Sequence, residues 1–279
     1  MIKYNKWCIR KGDVMAKVIS LVNQKGGVGK TTSSINLASA LGKKNKKTLL
    51  VDFDPQGNAS TGLGLTTSDF ANDIYDVLTG ACEIKDAIIK TKFKNLSIIP
   101  STINLVGVDV EFTKKMLEAP TFKQNNQLKE KLEEVKDDYD YIIIDCQPSL
   151  GIITMNALVA SNSIIIPVQC EYFALEGITQ LLNSVILVQT NLNPDLRIEG
   201  VLLTMLDSRT IMGLSVIEEV RKYFKSKVFD TIIPRLVAYV EATSYGKPID
   251  EYDPPKDPKK KAALAYANLA KEVIDRNGN

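Results

Sequence analysis

Residues 23–32 read NQKGGVGKTT, and this stretch decides the fold prediction. It follows an apolar run at residues 17–23 (KVISLVN), which is typical of a strand, and it leads into residues 30–42, where apolar side chains repeat with the period of a helix. A glycine-rich turn between a strand and a helix brings backbone N–H groups together at the positive end of the helix dipole. The stretch therefore predicts a phosphate-binding loop.

The residue types in this loop suit that role. Three glycines let the backbone approach a phosphate closely and adopt positive φ angles: Gly26, Gly27 and Gly29. Lys30 is expected to neutralise the β- and γ-phosphates, and the Thr31 hydroxyl is expected to bind Mg²⁺. The common pattern GxxxxGK[ST] is not met in full, because Gln24 occupies the position of its first glycine.

Carboxylates follow two other predicted strands. The strand at residues 48–53 leads into Asp54, and the strand at residues 141–145 ends in Asp145. Parallel strands of a doubly wound sheet end at the ligand-binding edge, so Asp145 is the expected indirect Mg²⁺ partner, supporting the direct ligands or acting through water. Asp52 and Asp54 are expected to point the same way, and one of them to orient the attacking water. The alternative for Asp54 is capping of a helix or loop.

Short apolar runs alternate with helical patterns along the chain. Strands are predicted at residues 17–23, 48–53, 96–100, 141–145, 163–168 and 199–206. Helices are predicted at residues 30–42, 174–191, 212–224 and 258–276. This alternation predicts one doubly wound, mostly parallel α/β sheet with helices on both faces, spanning residues 15–279, after a flexible basic extension at residues 1–14.

Composition excludes several chemistries. The chain has no histidine, so a histidine base, a histidine metal ligand and a Ser-His-Asp triad are all ruled out. Its net charge of +2 predicts no general affinity for nucleic acid, so any such binding needs a local patch. The four scattered cysteines fit a reducing cytosol, and no apolar run is long enough to predict a membrane span.

Six motifs carry a family resemblance in order and spacing: KGGVGKTT (25–32), VDFDPQGNAS (51–60), YDYIIIDCQPSLG (139–151), PVQCEYFALEG (167–177), GVLLTMLDSRT (200–210) and GKPI (246–249). Over roughly residues 16–276 the chain resembles the ParA-type partition ATPases of the Soj branch. These belong to the deviant Walker A (ParA/MinD) group of P-loop proteins, whose mark is a second lysine five residues before the Walker lysine.

The resemblance implies a role for each lysine. Two ammonium groups about 4 Å apart repel by about 4 kcal/mol at an effective dielectric constant of about 20, so one small cradle suits only one of them. The resemblance implies that Lys25 reaches the phosphates bound by a second subunit, and that ATP with Mg²⁺ holds a sandwich homodimer together. Bulk at Gly26 is then expected to obstruct the two subunits.

The resemblance also implies a set of site residues. The implied catalytic residues are Lys25, Lys30 and Asp54. The implied nucleotide-binding residues are Lys25, Gly26, Gly27, Val28, Gly29, Lys30, Thr31, Thr32, Met205, Asp207, Pro234 and Arg235. The implied metal-site residues are Thr31, Asp54 and Asp145.

Members of the family bind DNA without sequence preference when ATP-bound, and a ParB-type centromere-binding protein stimulates hydrolysis. The resemblance therefore implies a cytoplasmic protein associated with the nucleoid. The candidate phosphate-contacting residues are Arg209, Arg221, Lys222, Lys225 and Lys247. The chain departs from the family pattern at four positions: Gln147, Leu236, Ala238 and Thr243. Because Ala238 replaces an expected DNA-contacting arginine, DNA binding is expected to be weaker.

Three other functions fit the same loop. A MinD-like membrane switch needs an amphipathic C-terminal tail, whereas this chain ends in the polar VIDRNGN, so no stable membrane association is expected. A small-molecule ligase would share the loop, but its activity would not require Arg209 and would not respond to DNA. A nucleotide-gated scaffold with negligible turnover would not need Asp54 to orient an attacking water.

Overall fold

The computed structural model of the protein describes residues 15–171, 178–252 and 258–278. These residues form a seven-stranded sheet in the order β3-β4-β2-β5-β1-β6-β7. Its strands are β1 (Lys17–Leu21), β2 (Thr48–Phe53), β3 (Ile89–Lys90), β4 (Leu96–Ile99), β5 (Tyr141–Cys146), β6 (Ser163–Gln169) and β7 (Arg197–Thr204). All neighbouring pairs are parallel except β3 and β4, so the predicted doubly wound, mostly parallel sheet is confirmed.

Helices cover both faces of the sheet. The helices are α1 (Lys30–Lys43), α2 (Asn58–Gly62), α3 (Ile74–Thr79), α4 (Val108–Glu118), α5 (Gln127–Glu133), α6 (Ile152–Ala160), α7 (Ile178–Asn191), α8 (Ile211–Phe224), α9 (Val237–Ser244) and α10 (Pro258–Arg276). Apolar residues of α1, α2, α9 and α10 form one core layer, and those of α3 to α8 form the other. Successive residues of β1 alternate between the layers, since Ile19 and Leu21 join the first and Val18 joins the second.

Several predicted bounds need correction. The strand predicted at residues 199–206 runs from Arg197 to Thr204, because Met205 takes a left-handed φ of 55° that ends the extended backbone. The helix predicted at residues 174–191 is described from Ile178 onward, and its first residues lie outside the described part of the chain. The extension predicted at residues 1–14 also lies outside it.

The register of the sheet brings the predicted carboxylates to one edge. Asp52 on β2 is the direct neighbour of Asp145 on β5, and Leu21 at the end of β1 pairs with the same Asp145. The phosphate loop follows β1 at this edge, so the loop and the acidic residues meet where the parallel strands end. Across the described ranges, no helix combines the length and apolar character needed to cross a bilayer.

Candidate functional site

The glycine loop presents free backbone donors at the start of α1. Gly27 and Gly29 have φ angles of 73° and 87°, and no side chain caps the helix at Gly29. The first N–H groups of α1 therefore remain available to an anion. The Thr204 hydroxyl, at the end of β7, donates a hydrogen bond of 2.8 Å to the carbonyl of Val28, which ties the loop to the sheet.

The two lysines of the loop occupy different environments. Lys30 is buried, and its Nζ donates to the Lys25 carbonyl at 3.2 Å. Burial lowers the pKa of Lys30, while the nearby carboxylates of Asp145 and Asp54 act in the opposite direction. The Lys25 side chain is exposed. One cradle thus holds one ammonium group, and the second lysine faces outward.

Asp145 lies beneath the loop without access to solvent. Its Oδ1 accepts a 2.8 Å hydrogen bond from the Ser34 hydroxyl of α1, whereas its Oδ2 is buried without a hydrogen bond. The Thr31 hydroxyl lies close enough to lower the pKa of Asp145, although its geometry falls short of a hydrogen bond. Burial is the largest influence and raises the pKa of Asp145 to about 6.

These groups fit a magnesium ion held mainly by phosphate and water. Within the described residues, no group of three or more acidic, cysteine or histidine side chains forms a ready-made metal cage. Mg²⁺ commonly takes one hydroxyl or carboxylate from the protein and keeps several waters. The Thr31 hydroxyl, together with the unsatisfied Oδ2 of Asp145, suits that sparse arrangement.

The expectation that Asp52 and Asp54 point the same way is wrong. β2 ends at Phe53, so the two-residue alternation of a strand does not extend to Asp54. Asp52 turns into the protein, where its Oδ2 accepts hydrogen bonds from the backbone N–H and the hydroxyl of Ser60. Burial and the neighbouring Asp145 raise the pKa of Asp52 to about 8. Only Asp54 reaches the cleft beside the loop.

That cleft has a volume of about 640 Å³. It is lined by Gly26, Gly27, Gly29, Lys30, Thr31, Thr32, Asp54, Pro55, Gln56, Asn58, Val106, Gln147, Pro148, Ser149 and Met205. The structure therefore brings the loop together with Asp54, while Asp145 lies buried below. Gln56, Asn58 and Ser149 were not among the predicted site residues, although all three belong to motifs that carry the family resemblance.

A smaller cavity of about 210 Å³ adjoins the loop. Its walls are mainly apolar, and five of the predicted nucleotide-binding residues line it: Gly29, Thr32, Met205, Pro234 and Arg235. Tyr239 of α9 and Tyr266 of α10 complete the walls and were not predicted, because they come from distant parts of the sequence. Met205 lines both this cavity and the larger cleft, so the two are neighbours.

The side chains of Asp207 and Arg235 form ion pairs with other residues. Both carboxylate oxygens of Asp207 accept from the Arg209 guanidinium, at 2.9 and 2.7 Å, and this arginine holds the pKa of Asp207 well below its ordinary value. Arg235 pairs with Glu171 at 3.2 Å. Neither contact excludes the predicted nucleotide role, but Asp207 does not line the smaller cavity.

The predicted DNA-contacting residues are spread around α8 and α9. Arg209 precedes α8 and its side chain is 87% exposed, and Arg221, Lys222 and Lys225 are exposed at the other end of that helix. Lys247 is half-buried. Ala238 lies on the buried side of α9, and weaker DNA binding at this departure from the family pattern stays a prediction.

A phosphate loop at the end of β1, with its lysine buried and carboxylates on the adjoining strands, defines a P-loop nucleoside triphosphatase. The AAA domain family matches residues 16–198. A solved structure of cobyrinic acid a,c-diamide synthase from Mycobacterium smegmatis, with bound ADP and magnesium, is 31% identical, with a TM-score of 0.79 over 95% of this chain and 96% of that one.

Two curated relatives are closer in sequence. The sporulation initiation inhibitor protein Soj of Bacillus subtilis is 55% identical over 93% of this chain and 98% of its own length. The chromosome-partitioning ATPase Soj of Treponema pallidum is 49% identical over 95% of this chain and 99% of its own length. The chain therefore belongs to the Soj/ParA family of chromosome-partitioning ATPases.

Proposed function

We propose that the protein is a DNA-partition ATPase in which ATP binding joins two copies and hydrolysis separates them. The observation that carries the proposal is the difference in burial between the two lysines of one loop. Lys30 is buried against the Lys25 carbonyl, whereas the Lys25 side chain is exposed and directly precedes Gly26, which lines the cleft. A second copy facing this cleft would bring its own triphosphate within reach of Lys25.

Within one subunit the residues have distinct tasks. The N–H groups of the loop and of the first turn of α1 would bind the phosphates, and Lys30 would neutralise them from below. Thr31 and Asp145 would hold Mg²⁺, which when bound neutralises charge that develops on the phosphates. Asp54, in the same cleft, would orient the attacking water.

The smaller cavity supports a place for the base. Its apolar walls are formed by Met205, Pro234, Leu236 and Tyr239, and it shares Gly29 with the phosphate loop. A purine placed there would lie next to the phosphate site on the same chain. The proposed ligand is therefore ATP.

In this proposal the ATP-bound dimer binds double-stranded DNA through exposed arginine and lysine side chains near α8, without reading sequence. A ParB-type centromere-binding protein stimulates hydrolysis and resets the dimer. The protein then works in the cytoplasm at the nucleoid.

The test is ATPase activity with Mg²⁺, measured with and without plasmid DNA and with a basic peptide derived from the partner. We expect slow basal turnover that rises when DNA and peptide are both present. Turnover unaffected by either addition would contradict the partition function.

A small-molecule ligase is the second candidate, because the solved relative with bound ADP and magnesium is named a diamide synthase. That chemistry needs an acceptor, so phosphate release would stay negligible until a small-molecule acid and an amine donor were supplied. Phosphate release without any acceptor favours the partition ATPase.

A further inference from the structure

The buried carboxylate of Asp52 accepts hydrogen bonds from both ends of the loop between β2 and α2. Asp52 Oδ1 accepts from the backbone N–H of Asp54 at 3.4 Å, where the loop begins. Asp52 Oδ2 accepts from the Ser60 backbone N–H at 2.8 Å and from the Ser60 hydroxyl at 2.7 Å, where the loop is already part of α2. Asp52 has no exposed surface, so these hydrogen bonds are shielded from water.

The Ser60 hydroxyl also joins this loop to the next strand of the sheet. Ser60 Oγ accepts from the backbone N–H of Ser101, just after β4, at 3.2 Å. Gly57, with a φ of 61°, packs on the same segment so closely that a Cβ at this position would lie 2.8 Å from the Ser101 carbonyl oxygen. The loop is therefore held from two directions, by Asp52 below and by residue 101 at its side.

The direction of the Asp54 side chain depends on this loop. Asp54 Oδ1 accepts from the Gln56 N–H at 2.9 Å, and the Asp54 carbonyl accepts from the Gly57 N–H at 3.0 Å. The turn that orients the carboxylate thus consists of the residues that Asp52 and Ser60 enclose. A shift of α2 would move Asp54 within the cleft.

We propose that Ser60, acting through Asp52, is a positioning residue for ATP hydrolysis that keeps the Asp54 carboxylate in its working place. The inference rests on the proposed role of Asp54 in orienting water. Neither Asp52 nor Ser60 lines the phosphate cleft, so their contribution passes through the loop and not through contact with the nucleotide.

The test is Ser60→Ala, with Ser163→Ala as its matched control. Both serines are buried, and the hydroxyl of each donates a 2.7 Å hydrogen bond to a carboxylate. Ser163 lies at the start of β6, at the opposite end of the sheet, and its partner is the half-buried Glu199 of β7. We expect kcat of Ser60→Ala to fall by about tenfold or more, since small misplacements of a reacting group carry costs on that scale. KM for ATP and the affinity for a non-hydrolysable ATP analogue should change by less than about twofold, because the phosphate loop is untouched.

A role confined to stability predicts a different pattern. Both variants would then melt earlier while keeping the kcat of the unaltered protein, and that result would overturn the inference. If Ser60→Ala does not fold, Ser60→Cys replaces it, because a thiol has nearly the same shape but is a weak donor. A normal kcat in Ser60→Cys would likewise overturn the inference.

Asp54→Ala, assayed in parallel, separates this inference from the function on which it rests. An active Asp54→Ala variant contradicts the proposed role of Asp54 itself. An inactive Asp54→Ala variant beside a fully active Ser60→Ala variant contradicts only the positioning role of Ser60.

Discussion

At the scale of single residues, burial gives two chemically identical side chains different tasks. The Lys30 ammonium group is enclosed by the loop, by Asp145 below it and by the Lys25 carbonyl. The Lys25 ammonium group has no such enclosure, because its side chain is exposed. The proposed function therefore assigns Lys30 to the phosphate site of its own chain and Lys25 to a contact with a second copy.

Lys25→Ala is expected to keep nucleotide binding but to lose ATP-dependent dimerisation. The loop backbone and Lys30 remain in place, while the positive charge offered to the second subunit is removed. The measurement is size-exclusion chromatography with light scattering, with ATP and Mg²⁺ present. Lys44→Ala, an exposed lysine at the other end of α1, is the control. A normal dimer in the Lys25 variant would contradict the proposal.

Asp54→Ala is expected to bind ATP and to remain dimeric with little turnover. Loss of a water-orienting carboxylate typically lowers kcat by about 10²-fold or more, while the phosphate loop still binds the nucleotide. Phosphate release and dimer lifetime are the measurements. Asp275→Ala, an exposed aspartate on α10, should leave both unchanged. An unchanged ATPase rate in the Asp54 variant would refute the assignment.

At the scale of elements, the sequence predicts where the parallel strands lie. It predicts few of the short elements, whose positions depend on tertiary contacts. The parallel strands are mainly apolar runs covered on both faces, and all six predicted strands match observed strands to within two residues at either end. The two-residue antiparallel β3 and the short α2, α3 and α5 have too few residues to show a period, so packing alone fixes them.

The same limit applies within the site. Lys30, Thr31, Asp54 and Asp145 carry their chemistry in their side chains and were predicted. Thr204 and Ser34 were missed, because each acts on a partner more than one hundred positions away along the chain. Hydroxyl residues are common throughout the sequence, and only the fold shows which of them reach the loop.

Gly42 shows how an element is fitted to its neighbour. Alanine in a helix normally stabilises by about 1 kcal/mol relative to glycine. A Cβ at Gly42 in α1 would lie 2.2 Å from the Lys94 carbonyl oxygen, so either α1 or the turn before β4 must move. Gly42→Ala is therefore expected to lower the free energy of unfolding by about 1–3 kcal/mol, measured by urea denaturation.

Gly151→Ala is the control for that substitution. A Cβ at Gly151 would have its nearest neighbour at 3.9 Å, and its φ of −72° suits alanine. The free energy of unfolding should then change by less than about 1 kcal/mol. Equal effects of the two substitutions would show that the contact with Lys94 does not decide the outcome.

At the scale of the whole molecule, a substitution at Gly26 would distinguish the folding of one copy from the proposed association of two. A Cβ at Gly26 would meet nothing within 4 Å in the single chain, and the backbone there is not in the left-handed region. Gly26→Val is therefore expected to melt at the temperature of the unaltered protein and yet to fail to dimerise with ATP. Dimerisation of this variant at normal concentration would show that the loop does not face a second subunit.

In the proposed function, DNA binding depends on the same assembly, since two copies would present two sets of basic side chains. Arg209→Ala removes one expected phosphate contact per subunit, and two per dimer. The slope of the logarithm of the DNA affinity against the logarithm of salt concentration should therefore become shallower by about 2. Arg197→Ala, an exposed arginine at the other end of β7, should leave the slope unchanged. Equal slopes for both variants would place the DNA surface elsewhere.

The smaller cavity takes one wall from α10, because Tyr266 lines it and its hydroxyl shares a 3.2 Å hydrogen bond with Ser33 of α1. Tyr266 lies 233 positions after Ser33, so the phosphate loop is synthesised well before this wall of the cavity. If the cavity holds the base, as proposed, a nascent chain that already contains the loop cannot yet enclose a nucleotide. Tight nucleotide retention should therefore begin only after α10 has been made and has packed against α1.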